Sequence, residues 1–346
     1  AVESSVWELG RIQEEESREQ EDKERHAKYR EFLSQHISQL EAGSLQYCVT
    51  VAEVLLDDHR DIPKELKPLD KLEYYLGETL KESAIKGLKS SLGNSYPTAN
   101  DIVDLHILQN KIYRSEVVLM AGIYCRLIEE ETLDDLADGV ILSASMIYDL
   151  YYYIHFNLDV DIGRAIKTQI ISRGLKNDSI NIMIKPQFKA KSEVIHGWHW
   201  LDSSDDDFTI KTVIALITDY KYENNHNLYK LISILASNKA LSNLELLTKE
   251  KLANPKFTNL NEFKQSIWLA LYSYFHPQKF LKLVKSYVAL EAGIISQIEH
   301  LYKAMNVKPS LAISAWIVEE YSSLFPIADD PFDKSEFIKK CLLAIS

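Results

Sequence analysis

The sequence predicts an all-α protein, built as an α-solenoid of stacked helix pairs behind a charged helical arm. Two observations lead to this fold class. Only 11 Gly and 9 Pro occur among 346 residues, which favours long helices over sandwiches or barrels. From Leu45 onward, apolar residues recur at helical spacing in segments that are separated by short polar breaks.

The N-terminal segment has the pattern of a helix that is mostly in solvent. Residues 14–31 are almost purely charged, and Glu often lies three or four positions from Arg or Lys. One apolar stripe follows, made of Tyr29, Phe32, Leu33, His36, Ile37 and Leu40. We therefore predict an arm over residues 1–44 that docks through its C-terminal half. A helical-repeat domain covers 45–346, and a sub-boundary is considered near 176–190.

The repeat domain reads as a succession of helices. The predicted helices cover about 45–57, 69–91, 98–109, 114–130, 132–156, 159–175, 190–201, 208–218, 226–237, 241–252, 261–275, 277–290, 291–305, 308–323 and 333–345. Thr98 has Asp101 three positions on and predicts an N-cap, and Pro277 and Pro309 suit the first turn of a helix. Residues 180–188 alternate and contain Pro186, so we predict an extended segment or edge strand there.

An internal sequence repeat indicates the kind of solenoid. The sequence LYYYIH at 150–155 recurs as LYSYFH at 271–276, and each copy ends one helix directly before another. The offset of 121 residues is close to three helix pairs of about 40 residues, the period of HEAT-like arrays. Stacked pairs would bury many short amphipathic helices without a sheet.

Charge and motifs exclude several functions. The formal net charge of −12 would repel a phosphate backbone, so nucleic acid is a disfavoured partner. The sequence contains neither G-x-x-x-x-G-K-[ST] nor G-x-G-x-x-G, and it lacks H-E-x-x-H and G-x-S-x-G. We predict no catalytic residues and no bound cofactor, and we expect the protein not to be an enzyme.

Cysteine usage and hydropathy bear on the compartment. Cys48, Cys125 and Cys341 are odd in number and far apart, which fits neither a disulfide framework nor a zinc motif and indicates a reducing, cytoplasmic setting. The longest apolar stretch, 140–156, contains Asp149 and several Tyr. We interpret it as a buried helix, and no membrane association is predicted.

One cluster offers a metal-site alternative. His196 and His199 are three residues apart, so on a helix they would share a face, and Asp202 could complete a zinc or iron site. The structural interpretation is that Trp198 and Trp200 anchor the core. Asp205, Asp206 and Asp207 would then cap the helix that begins near Phe208.

Two further groups of titratable residues have a structural and a functional interpretation. His155 and His276 follow paired tyrosines and could relay protons, although a buried histidine at a helix turn is commoner. An acidic stretch could bind a divalent ion or a basic partner, and otherwise it is a solvated loop and first helical turn. Its members are Glu129, Glu130, Glu131, Asp134, Asp135 and Asp138.

Several stretches resemble the helical C-terminal halves of bacterial NACHT or STAND-type NTPases. The main one is YPTANDIVDLH at 96–106, continued by Asn110, Tyr113, Leu119, Ala121 and Gly122. The order of the other elements is similar too. They are a charged arm that runs into a helix at Phe32, a helix near 84–92, Trp268-Leu269-Ala270 before a His-Pro turn, and a segment around Phe325-Pro326.

This resemblance implies a sensing arm without its NTPase module. In such proteins an upstream NTPase oligomerises and a C-terminal superhelix senses a foreign or stress signal, often in antiviral defence. No nucleotide-binding residue can be carried over, because the Walker motifs are absent. The sequence begins without Met and stops just after a helical pattern, so we expect it to be a piece of a longer protein.

Together these observations predict a protein-recognition or sensor module of a larger signalling NTPase, which acts by binding. Its partner would be a protein or a neighbouring domain of the same polypeptide. Two alternatives stay open. One is a helical metal-dependent enzyme that uses His196, His199 and Asp202, and the other is a purely structural scaffold.

Overall fold

The computed structural model describes residues 2–56, 62–150, 158, 160–202, 206–219, 225–237, 240–324 and 336–345. Within these ranges the secondary structure is helical and no strand occurs, which confirms the all-α class. The contacts divide the chain into two compact units, residues 1–197 and residues 198–346.

Eleven α-helices and one π-helical segment are described in the first unit. The helices are α1 (Val2–Gln35), α2 (Ile37–Glu41), α3 (Leu45–Leu56), α4 (Pro68–Leu76), α5 (Glu78–Ser91), α6 (Ala99–Gln109), α7 (Arg114–Ile128), α8 (Asp138–Leu150), α9 (Ile162–Ser172), α10 (Lys176–Ser179) and α11 (Lys185–Ala190). The π-helical segment, Ile180–Ile184, joins α10 to α11.

The second unit continues with short helices. They are α12 (His199–Asp202), α13 (Asp207–Thr218), α14 (Asn225–Ser237), α15 (Leu241–Ala253), α16 (Glu262–Phe275), α17 (Pro277–Leu283), α18 (Glu291–Ala304), α19 (Leu311–Leu324) and α20 (Glu336–Ile345). Large aromatic side chains fill its core: the Phe280 and Trp316 rings meet edge to face at 5.1 Å, and the Tyr302 hydroxyl lies 3.0 Å from Ser273 Oγ.

Glycines let three helices of the first unit approach one another closely. A Cβ at Gly87 in α5 would collide with the backbone carbonyl oxygen of Leu40 in α2. A Cβ at Gly122 in α7 would lie 2.6 Å from the carbonyl oxygen of Leu88 in α5. Because real Cβ atoms do not come that near to backbone, these two positions require glycine for steric reasons.

The predicted helix starts are mostly correct. Thr98 caps α6 in a capping box: its Oγ1 accepts from the Asp101 N–H at 3.2 Å, and the Thr98 N–H donates to the Asp101 carboxylate at 3.1 Å. Pro277 opens α17. Pro309 was expected in a first turn, but α19 begins only at Leu311.

The prediction of an extended segment at 180–188 is wrong. The residues form the π segment and α11, and their buried members Ile180, Met183, Ile184 and Phe188 follow helical spacing. Pro186 is tolerated because the helical hydrogen bonds before it have already changed from the α pattern to the π pattern. The Lys185 N–H donates to the carbonyl of Ile180, five residues back. The chain alternates in hydropathy here only because Ile182 is apolar as well.

Two predicted helices differ in extent. The helix expected over 69–91 is broken at Gly77, whose φ of +78° ends α4 before α5 begins. The helix expected over 190–201 is wrong for most of its length. Lys191 is left-handed with φ +58° and ends α11, and α12 starts only at His199.

The glycine contacts can be tested with two alanine substitutions. Gly122→Ala should lower the free energy of unfolding by about 1–3 kcal/mol, because the new methyl group has no room against the Leu88 carbonyl. Gly139→Ala in α8 is the matched control, since its Cβ would meet no described atom within 4 Å. It should be neutral or stabilising by up to about 1 kcal/mol. Denaturant unfolding measures the free energy of unfolding of both variants. Equal changes in the two would contradict the close approach of α7 to α5.

Candidate recognition surface

Seven aromatic side chains form a continuous row on the first unit. Helix α1 and the residue that follows it supply four of them at a spacing of three or four positions, which places them on one helix face. Helix α3 supplies one and the last turn of α4 supplies two. The members of this aromatic row are His26, Tyr29, Phe32, His36, Tyr47, Tyr74 and Tyr75.

Ring distances define the order of the row. From Tyr75, the centroid distance is 4.2 Å to His26 and 5.7 Å to Tyr29, and the Tyr74 ring lies 6.1 Å from His26. Tyr29 then stacks on Phe32 at 6.2 Å. At the Phe32 end of the row, three rings pack against one another. Their centroid distances are 4.6 Å between Phe32 and His36, 5.8 Å between Phe32 and Tyr47, and 5.1 Å between His36 and Tyr47. These distances suit offset aromatic pairs.

The row is buried at its centre and exposed at two points. Tyr75 and His26 are almost fully buried, whereas Phe32 is 41% and Tyr74 is 47% exposed. Buried rings therefore hold two exposed rings in place. Large aromatic side chains at the surface are typical of protein-binding hot spots.

Polar contacts fix the backbone beneath the row. Arg30 donates from Nε to the Tyr75 carbonyl at 2.8 Å and from Nη2 to the Tyr74 carbonyl at 2.7 Å, which caps the C-terminal end of α4. His36 Nδ1 lies 2.8 Å from the Phe32 carbonyl and so must donate to it. Burial raises the pKa of Tyr29 to about 12, against a hydrogen bond with Thr50 that lowers it, so the phenol stays neutral.

The structure gives each member of the metal-site alternative another contact. His196 precedes α12, in the first unit, and its ring hydrogen bonds to the Asp149 backbone. His199 opens α12 and packs on the Trp200 ring at 4.5 Å, and Asp202 pairs with Lys230 at 2.8 Å. The three residues thus do not share one helix. Across the described residues, no three His, Cys, Asp or Glu side chains are placed to hold a metal ion, and the metal site stays a prediction without structural support.

The structural interpretation of the neighbouring residues is confirmed for Trp200 and Asp206. Asp206 caps α13, and its carboxylate accepts from the Thr209 N–H at 2.8 Å and from Thr209 Oγ1 at 3.0 Å. Trp200 is buried, and Trp198 is half-buried. Asp205 lies outside the described residues.

A polar cluster that the sequence analysis missed surrounds His196. Gln187 is buried, accepts from the His196 N–H at 2.8 Å and donates to the His196 carbonyl at 3.2 Å, so it holds the loop after α11. Elsewhere in this unit His106 Nε2 lies 3.4 Å from the Glu116 carboxylate, and Glu116 is 1% exposed. In each pair the residues are too far apart to face each other on one helix turn, and the chain must turn between them for the contact to form.

Five of the six acidic side chains of residues 129–138 have partners within the chain. Lys89 pairs with Glu129 and Glu131. Arg126 contacts Asp135 at 2.8 Å. Arg173 donates to the carbonyls of Leu133, Asp134 and Leu136 and to the Asp138 carboxylate, and Gln169 donates to Asp134. These contacts favour the structural interpretation of the stretch over an ion or partner site.

Of the remaining candidate residues, His276 and the three cysteines have packing roles. His276 ends α16, and its Nε2 lies 3.1 Å from Glu245 of α15. Residues 151–157, which include His155 and most of the first copy of the repeat, lie outside the described residues. The three cysteines are buried and free, and burial raises the pKa of the Cys48 thiol to about 12, so it is not an activated nucleophile.

Comparisons with protein-family models, with curated proteins and with solved structures find no match to this chain. Among the residues that the structure describes, no helix combines the length and the apolar character needed to cross a bilayer.

The environment of His196 predicts a pH dependence. Burial lowers the pKa of His196, a hydrogen bond to the Asp149 backbone partly offsets this, and the charge of His106 lowers it further. In the unfolded chain the ordinary value is about 6.5. Below that pH the unfolded state takes up a proton that the folded state resists, so stability falls until the lowered pKa is reached.

We expect the unfolding midpoint of the wild type to fall as pH is lowered from about 7.5 to 5, and the His196→Gln variant to show a weaker fall. Carboxylates contribute mainly below about pH 4.5, outside this window. Thermal unfolding followed by circular dichroism across the range measures both. Identical pH profiles for the two proteins would contradict the assignment.

Proposed function

We propose that this chain is a protein-recognition module that acts by binding rather than by catalysis. The observation that carries the proposal is the aromatic row, in which two exposed rings, Phe32 and Tyr74, stand on a buried and hydrogen-bonded base. Such rings bury large apolar area on binding and lose little conformational entropy, because the base already holds them.

A HEAT-like solenoid is the architecture that we propose for it. Within the first unit α3 packs on α5, α5 on α7 and α7 on α9, and α6 packs on α8. Within the second unit α16 packs on α18 and α17 on α19. Contacts to the helix two places along the chain are what stacked helix pairs produce, and they support the proposal.

The sensing arm of a larger NTPase is the role that the resemblance adds. Its described motif positions have scaffold functions: Thr98 caps α6, and Gly122 lets α7 approach α5. Phe325-Pro326 lie outside the described residues. A motif that fixes helix ends and helix packing supports a scaffold shared with the resembling proteins, and their ligand surfaces can still differ. A purely structural scaffold would share the helices, and it would have no use for an exposed aromatic row.

X-ray scattering from the purified chain tests the solenoid. A stacked array should give a radius of gyration clearly above the value of about 20 Å that a compact domain of this length would have. A value at or below that figure would rule out the extended array.

Binding through the aromatic row is tested with Phe32→Ala/Tyr74→Ala. Peptides selected from a displayed random library against the wild type should bind the double variant at least about tenfold more weakly, because the anchoring rings are gone. More than half of each side chain is covered, so the double variant should also unfold at a lower temperature, and binding is compared at a temperature at which circular dichroism shows both proteins folded.

Ile171→Ala is the matched control, because Ile171 is an exposed apolar residue of the same unit that lies on α9. This variant should bind the selected peptides as the wild type does. Selected peptides that bind the double variant and the wild type equally well would show that the row is not the recognition surface.

A further inference from the structure

We infer that the partner segment taken by the aromatic row is basic and binds it through arginine side chains. This inference rests on the proposed function and adds the chemistry of the partner. Three features of the first unit lead to it: the acids around Tyr74, the two exposed rings, and the overall charge of the unit.

Carboxylates collect around the Tyr74 end of the row. Asp70 lies one helical turn before Tyr74 on the same face of α4 and is exposed. Glu78 opens α5 directly after the turn at Gly77 and is exposed too. Glu73 pairs with Lys81 at 2.7 Å. A cation placed over the Tyr74 ring would therefore have two further carboxylates within reach.

The exposed rings favour arginine over lysine. A guanidinium is planar and stacks on an aromatic face, and it can also bind a carboxylate through two parallel hydrogen bonds. Lysine offers a point charge that is more strongly hydrated. Tyr74 with its neighbouring acids provides both contacts, and Phe32 provides the ring face alone.

The charge of this part of the chain argues against other occupants. Residues 1–197 contain 34 acidic and 23 basic residues, whereas residues 198–346 contain 17 and 16. Aromatic rows also stack nucleobases, but those sites need a basic groove for the phosphates. A second copy of the acidic unit would be repelled, whereas a basic segment would be attracted at long range.

Fluorescence anisotropy with a labelled Gly/Ser peptide that contains two arginines tests the inference. Replacing both arginines by citrulline, a neutral isostere, should weaken binding about tenfold or more, and lysine should be intermediate. Raising the salt concentration should weaken the arginine peptide and leave the citrulline peptide unchanged.

Two double variants separate the contributions of charge and ring. Asp70→Asn/Glu78→Gln should weaken the arginine peptide several-fold and reduce its salt dependence. Phe32→Leu/Tyr74→Leu keeps apolar bulk, removes the ring faces and should weaken it about tenfold. Circular dichroism and thermal unfolding confirm that both variants are folded.

The outcomes distinguish this inference from the proposed function. If the library-selected peptides need Phe32 and Tyr74 but lack basic residues, the row is a recognition surface and the inference is overturned. Equal binding of the citrulline and arginine peptides overturns it as well, as does tighter binding of a single-stranded oligouridine. If no peptide depends on the row, the proposed function fails together with the inference.

Discussion

The contact of backbone with backbone at Gly87 and Gly122 is the constraint on which the first unit depends. It brings α2, α5 and α7 closer than side chains would permit, so that α5 becomes the centre of the unit. Helices α3 and α4 both pack on α5, and α3 packs on α7. The helices that carry Tyr47, Tyr74 and Tyr75 are therefore fixed by a stack that contains none of these rings.

The arm completes the recognition surface by docking on this stack. Leu33 is fully buried, and Arg30 reaches the end of α4, so the C-terminal half of α1 is held by one apolar anchor and one polar anchor. The charged residues before it are mostly exposed. As a result, the position of Phe32 depends on two anchors close to it, and buried His26 extends the contact of α1 with α4 toward the N-terminus.

Sequence periodicity predicted the local parts of this arrangement and missed the parts that need tertiary contact. The 3, 4 stripe placed Tyr29, Phe32 and His36 on one face, because helix spacing is a local property. Nothing local indicated that Tyr74 and Tyr75 would meet that face. The same limit explains the missed pair of His106 and Glu116, and it explains why the metal hypothesis relied on neighbours in sequence.

Two of the wrong secondary-structure predictions have physical causes as well. Pro186 was taken as a helix breaker, but a π turn supplies the register in which a missing N–H costs little. Residues 190–201 were predicted as helix, but the Gln187 side chain satisfies the His196 backbone groups, so the loop after α11 does not need helical hydrogen bonds there.

Acidic residues have two different physical roles in the first unit. Along 129–138 five of the six are bound by Lys89, Arg126, Arg173 or Gln169, and these contacts stabilise a loop. At Asp70 and Glu78 the carboxylates are exposed near an aromatic ring whose face favours cations. Composition alone cannot separate these roles. Only in the second role does the negative charge face outward together with a ring, and that combination is what a basic partner can recognise.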